Sequence, residues 1–246
     1  AAVPLETFRI EGTKRGNLRR AWRKAGEEGA TFEVIPPHQI SDLVPTLAKI
    51  SDAWLAEHAG GEKGFSMGGF HPGYVSEFPV AVVRFEGAVV AFATLWITAA
   101  KTSFSMDLMR YGPAAPKRIM DYLFVELIEW GRAQGYQAVE FGMAPLAGLE
   151  DRPLAPVMSR VGNLFFEHAE EIYNFQGVRT YKDKYDPLWQ PRYIAAPRKW
   201  AIPLLLADVG LLSSGGVAGL AKRPKKAEEP GPPASPLTSR GQAAAS

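Results

Sequence analysis

Asp107 and Arg110 stand three residues apart in Lys101-Thr-Ser-Phe-Ser-Met-Asp-Leu-Met-Arg110. A carboxylate can bind a cation or accept a proton, and a guanidinium can hold an anion through its fixed fork of donors. The same two groups can also form a structural ion pair, because such pairs imitate functional sites. Phe104, Met106 and Leu108 alternate with Ser103, Ser105 and Asp107, the period-two pattern of a half-buried strand. Tyr111-Gly-Pro-Ala-Ala-Pro116 then breaks the chain before a helix. Asp107 and Arg110 are therefore expected at a strand end leading into a helix, where open α/β sheets place ligands.

Other chemistry-bearing residues lie further on. Glu140, in Ala138-Val-Glu-Phe-Gly, alternates with Val139 and Phe141 and either reaches a site or faces solvent. Phe175-Gln-Gly-Val-Arg-Thr-Tyr-Lys-Asp-Lys-Tyr is a dense basic–aromatic cluster containing Arg179, Lys182 and Lys184, whose cations serve a site or only a charged surface. His168 has the spacing of a core histidine. His38, His58 and His71 show no ligand spacing, so no metal is expected. With no cysteine, disulfides, thiolate metal sites and a cysteine nucleophile are excluded. No serine has the context of a nucleophile elbow.

The elements that must position these groups can be read in order. Phe8-Arg-Ile-Glu-Gly-Thr reads as a short strand and turn. Lys14 to Glu28 reads as a helix with Leu18, Ala21, Trp22 and Ala25 on one stripe and Arg15, Arg19, Arg20, Arg23 and Lys24 around the rest. Such a basic helix suits an anionic partner, RNA or a lipid headgroup, or is a solvated surface helix. Thr31-Phe-Glu-Val-Ile is a strand. Ile40 to His58 is a helix capped by Ser41 or Asp42. Gly60 to Phe70 is a flexible glycine-rich connection with only a weak nucleotide signal.

Val80–Phe85 and Val89–Ile97 flank Glu86-Gly87 and predict an antiparallel hairpin, with Ser103–Asp107 as the third strand. Met120 to Gln134 is a helix ended by Gly135, and Ala138–Gly142 is a strand parallel to the third. Val161–Asn174 is expected as a helix, Pro191–Ala196 as a last strand and Arg198–Leu212 as a terminal helix. This order predicts an α/β fold of the N-acetyltransferase (GNAT) type, a mixed sheet flanked by helices. Topology by itself says nothing of function.

The composition is that of a globular protein: 46% hydrophobic and 22% charged. The net charge is +2, unevenly placed. From Lys222 on there are five basic and two acidic residues, leaving 23 basic against 24 acidic before it. The proline-rich segment from about 217 to 246 reads as a disordered basic tail. No apolar run reaches the ~18–20 residues of a membrane span. The first residues, Ala1-Ala-Val-Pro-Leu, read as a cut inside a longer protein, and the piece itself as soluble.

Several motifs in order carry a resemblance. They are Glu62-Lys-Gly-Phe-Ser-Met-Gly, Asp107-Leu-Met-Arg110, Met120-Asp121, Gly142-Met-Ala-Pro-Leu146, Tyr173-Asn-Phe-Gln-Gly177 with Arg179, Lys182-Asp-Lys184 and Pro191-Arg-Tyr193. Together they resemble the C-terminal synthase domain of the phosphatidylglycerol lysyltransferases, the multiple peptide resistance factor family, from about Phe8 to Gly216. The resemblance implies transfer of an amino acid, lysine first among the donors, from aminoacyl-tRNA to the glycerol hydroxyl of phosphatidylglycerol. That lowers the negative charge of the membrane and gives resistance to cationic antimicrobial peptides. It also implies work at the cytoplasmic face of the bacterial inner membrane, behind an N-terminal transmembrane flippase region. The soluble part would be a tandem of two GNAT-like subdomains. Here residues 1–60 would be the basic linking helix and a remnant of the first, and residues 61–216 the second, catalytic one.

Ester exchange of this kind needs a site that binds an amine, activates a hydroxyl, stabilises an oxyanion and holds phosphates. On the resemblance, Asp107, Arg110 and Lys182 are the catalytic candidates. Asp107 would orient the amine or accept the hydroxyl proton, Arg110 would hold a phosphate, and Lys182 would meet a phosphate or the oxyanion. Glu140, Tyr173, Arg179 and Lys184 are the substrate-binding candidates. No cofactor is expected: Gly112-Pro-Ala-Ala-Pro-Lys117, in the place of a pyrophosphate loop, has two prolines without N–H donors, a poor cradle for coenzyme A. The competing expectations are a tRNA-dependent or ordinary acyl transferase on another acceptor, and a non-catalytic basic module docking on anionic membrane or RNA.

Overall fold

The computed structural model of the protein describes residues 1–57, 68–144, 175–193, 195–198 and 201–213. Six strands form one mixed sheet in the order β1-β6-β5-β4-β3-β2. They are β1 (Ala2–Pro4), β2 (Thr31–Ile35), β3 (Val80–Phe85), β4 (Ala88–Ile97), β5 (Ser103–Tyr111) and β6 (Ala138–Glu140). Only the β5–β6 pair is parallel, as the sequence predicts, with α4 (Ile119–Ala133) as its crossover. The β3–β4 hairpin turns on Glu86 (φ 51°) and Gly87 (φ 80°), both left-handed, the geometry that suits the twist of paired strands.

Helices cover both faces. α1 (Gly16–Glu27) and α4 lie on one, where Leu18, Ala25, Leu123, Leu127 and Ile128 share a core with Ala81, Ala91, Leu95 and Phe104 of the strands. α2 (Val44–Glu57) and the short α3 (Pro72–Val75) lie on the other, where Leu47, Ile50 and Val75 pack on Val80, Val82, Phe92 and Leu108. The fold is thus α/β and GNAT-like. The segments α5 (Phe175–Asp183) and α6 (Ile202–Ser213) follow the sheet.

Several expectations need correction. Phe8–Thr13 is not a strand; the first strand is Ala2–Pro4. Arg15 donates to the Arg9 carbonyl, and Arg19 to those of Ile10 and Gly12, so side chains take the acceptors a ladder would use. Phe8 is buried with the Arg15 guanidinium 4.7 Å above its ring. β1 and β2 are the two edges of the sheet among the described residues, β1 paired with β6 and β2 with β3. α2 begins at Val44 because Ile40 closes a 3-10 turn, and the Ser41 hydroxyl bonds Asp42 at 3.3 Å instead of capping.

The described part of Pro191–Ala196 is not a strand either. Pro187 and Pro191 lack N–H donors, and the one bridge in this region pairs Leu188 with Ala2. α6 starts at Ile202, not Arg198, with Pro203 in its first turn, where proline is tolerated. The expected helix at 161–174, with His168 and Tyr173, and the tail from 217 lie outside the described residues.

Candidate functional site

β5 runs to Tyr111, so Asp107 and Arg110 sit inside the strand and not at its end. By strict alternation, residues three apart point to opposite faces. A β-bulge cancels this. Across β4 the pairs are Ala93↔Met109 and Leu95↔Met106, so Asp107 and Leu108 together face Thr94. The Thr94 hydroxyl accepts the Leu108 N–H at 3.0 Å and replaces the lost ladder bond. Phe104 and Met106 therefore pack on the α4 side, while Leu108 packs on the α2 side. Asp107 and Arg110 both turn to the α2–α3 side, shown by the groups they touch.

Asp107 is 6% exposed, and each of its oxygens has a donor. The Gly68 N–H reaches Oδ1 at 2.9 Å and the Tyr74 hydroxyl reaches Oδ2 at 2.8 Å. A Cβ at position 68 would press on the carboxylate and stand 2.5 Å from Tyr74 Cε1, so a side chain there would displace both groups. Burial, with the Asp107 bond next in weight, raises the Tyr74 pKa, and the Trp96 indole partly offsets it. Arg110 is also buried. It donates to the Ser51 hydroxyl and stacks 5.4 Å from the Trp54 ring, both on α2.

The parallel pairing stops at Ser105↔Glu140, two residues before Asp107, and the chain beyond β6 turns at Gly142 (φ 73°). β5 and β6 part at the level of the bulge. Lys182, from the end of α5, donates from Nζ to the Met143 carbonyl, just beyond β6, at 2.7 Å. Burial lowers its pKa to about 8. Glu140 is half-buried on β6, its Cα paired with Ser105 on one side and Ala2 on the other.

The remaining candidates are placed elsewhere. Lys184 is paired with buried Asp121, on the first turn of α4, at 3.3 Å, and lies 4.1 Å from the Tyr181 ring centroid. Arg118 at 2.7 Å and the Tyr185 hydroxyl at 3.3 Å complete the shell of Asp121. Arg179 pairs with Asp183 at 3.9 Å and stacks on Trp189 at the exposed side of α5. Tyr173 lies outside the described residues. Arg15, just before α1, and Arg19 bond the protein, Arg23 and Lys24 form exposed pairs with Glu27 and Glu28, and Arg20 is exposed. In the loop after β5, the Gly112 and Ala115 N–H groups bond Val90 and Gly112 carbonyls. Gly68 closes the Glu62–Gly68 motif but carries no role readable from sequence, and Tyr74 sits on a single-turn helix without periodicity, so neither is marked there as a partner of Asp107.

Residues 1–196 match the family model described as "Phosphatidylglycerol lysyltransferase, C-terminal". The chain belongs to this family. It is 36% identical over 196 residues to the phosphatidylglycerol lysyltransferase of Bacillus subtilis, covering 79% of this chain and 23% of that one. With the enzyme of that name from Staphylococcus epidermidis the identity is 33% over 203 residues, covering 82% and 24%. The chain thus spans about a quarter of the length of these relatives. Among solved structures, a C-terminal domain from Agrobacterium fabrum described as that of a "Putative Lysylphosphatidylglycerol Synthetase" superposes with a TM-score of 0.75 at 40% identity, covering 88% of this chain and 65% of that chain. L-PGS from Bacillus licheniformis gives 0.70 at 35%, covering 87% and 64%. The lysyltransferase C-terminal fold is therefore shared across the described elements of the sheet.

Proposed function

We propose that the chain is the catalytic part of an aminoacyl-phosphatidylglycerol synthase. It moves an aminoacyl group, lysyl first among the candidates, from aminoacyl-tRNA to the glycerol hydroxyl of phosphatidylglycerol. The glycerol oxygen attacks the ester carbonyl, a new C–O bond forms, and the bond to the tRNA ribose breaks. The hydroxyl proton ends on the ribose oxygen. The observation that carries this reading is the Asp107 carboxylate, buried, held by two donors and set at the bulge where β5 and β6 part. A fixed carboxylate suits the aminoacyl ammonium. Lys182 of α5, bonded to the Met143 carbonyl beyond β6, supplies a cation for the oxyanion or a phosphate, and its partial burial strengthens that interaction. Arg110 supports the α2 side of the site through Ser51 and Trp54.

By likeness to its family, the chain works in a longer protein at the cytoplasmic face of the bacterial inner membrane, beside a transmembrane flippase region. No helix among the described residues is long and apolar enough to cross a membrane. The test mixes the protein with tRNA carrying labelled lysine, alanine or arginine and with phosphatidylglycerol vesicles. Label in the lipid phase that is lost in Asp107→Ala supports the reading and names the donor. Label on another acceptor, or vesicle binding without transfer by the longer parent protein, overturns it.

A further inference from the structure

We infer that Tyr74 is a positioning residue, and that with the Gly68 N–H it fixes Asp107 as the acceptor of the donor's α-ammonium. The inference rests on the aminoacyl-transfer reading above. A buried carboxylate must have its lone pairs satisfied, and a carboxylate free to rotate binds an incoming cation poorly. Here each oxygen carries one donor from a different piece of chain: the backbone before α3 and the phenol on α3. Both donors are set by packing. Gly68 has no room for a side chain, and the Tyr74 ring meets Phe78 edge-on at 4.9 Å with Val75 beside it fully buried.

A phenol has one proton to give, and Tyr74 gives it to Oδ2. Burial raises its pKa, so it remains a donor through the physiological range. Each carboxylate oxygen can accept more than one hydrogen bond, so one acceptor direction per oxygen is left for a ligand. An ammonium brings three donors and a charge, and matches what remains. α3 is thus more than a connector into β3: its single turn carries the hydroxyl that orients the carboxylate.

The experiment measures binding of lysinamide and of Nα-acetyl-lysinamide to the chain, which differ only in the α-ammonium. The wild type is expected to prefer lysinamide. Tyr74→Phe keeps the ring and removes the hydroxyl, and is expected to cut that preference about tenfold, because Asp107 loses one of the two donors that hold it in place for the ammonium. Binding of the acetylated compound should not change. A merely structural role would weaken both compounds together, and that result overturns the inference.

A second measurement does not depend on how Tyr74→Phe folds. With 3-fluorotyrosine placed at position 74, which keeps the hydroxyl, the fluorine resonance should move on adding lysinamide and stay put with the acetylated compound. A resonance indifferent to both overturns the assignment, as does failure of the wild type to prefer lysinamide. The two readings fail separately. Preference without any aminoacyl lipid formed by the longer parent protein sinks the transferase reading alone. Aminoacyl lipid formation with preference untouched in Tyr74→Phe sinks the positioning role alone.

Discussion

Lys182 shows at the scale of one residue how a fold can carry a group that weakens it. Its amine, with the pKa lowered to about 8, is harder to charge when folded than when unfolded, where the ordinary value is 10.5. Below pH 8 both states are protonated and the folded one carries the full desolvation penalty. Between about 8 and 10.5 the unfolded state binds more protons, so stability rises with pH through that window. Lys182→Met should therefore stabilise the fold at pH 7 by roughly 1 kcal/mol, a figure already reduced for partial exposure, and flatten the rise. If the cation serves the oxyanion, the same substitution abolishes transfer, and wild-type transfer declines as pH climbs through 8. Denaturant melts from pH 6 to 10 beside transfer assays check both. A stabilised variant that keeps full transfer would strip Lys182 of its role.

At the scale of elements, the hairpin, the crossover helix and the parallel strand were legible because each follows local rules: a left-handed Glu86-Gly87 turn, a helical stripe ended by Gly135, and short alternating runs. The bulge in β5 was not, since alternation read straight through Asp107 hides the inserted residue. Nothing in Ser103–Tyr111 marks it, and the group that satisfies its free N–H, the Thr94 hydroxyl, lies on the neighbouring strand. Thr94→Val keeps the shape and leaves the buried Leu108 N–H without its acceptor, a cost of about 1–3 kcal/mol. We expect lower stability and a larger loss of transfer than that implies, because Asp107 and Arg110 share a face only while the bulge holds.

The basic–aromatic run at 175–185 also changed meaning once folded. Lys184 anchors α5 to α4 through Asp121, a long-range pair that spacing could not reveal. Asp121→Asn should cost about 2 kcal/mol, less than a fully buried pair because both cations are partly exposed. Lys184→Ala should cost part of the same energy, and the two substitutions together less than their sum in chemical denaturation. Purely additive costs would mean that Lys184 does its work elsewhere.

For the whole molecule the question is where the folding unit begins. The family resemblance implies a boundary at residue 60, with a basic linking helix and a remnant of a first subdomain before it. Burial argues otherwise. Val3, Leu5, Phe8, Leu18, Ala25 and Ala30 share one core with Leu123, Leu127, Ile128, Val139 and Phe141. On the opposite face Ile35, Ile40, Leu47 and Ile50 cover Val80, Val82, Phe92 and Leu108. A fragment of residues 61–216 would lose both edge strands, α1 and α2, and leave apolar surface bare on both sides of the sheet. At about 25 cal/mol per Å² of apolar area, ten such side chains outweigh the 5–15 kcal/mol that keeps a domain folded. The fragment should therefore give no cooperative thermal transition and no near-ultraviolet dichroism, while residues 1–216 give both. Cooperative unfolding of 61–216 with native-like dichroism would restore the boundary and make the first 60 residues an accessory. The site argues the same way, since Arg110 leans on Ser51 and Trp54 of α2, and Glu140 lies beside Ala2 of β1.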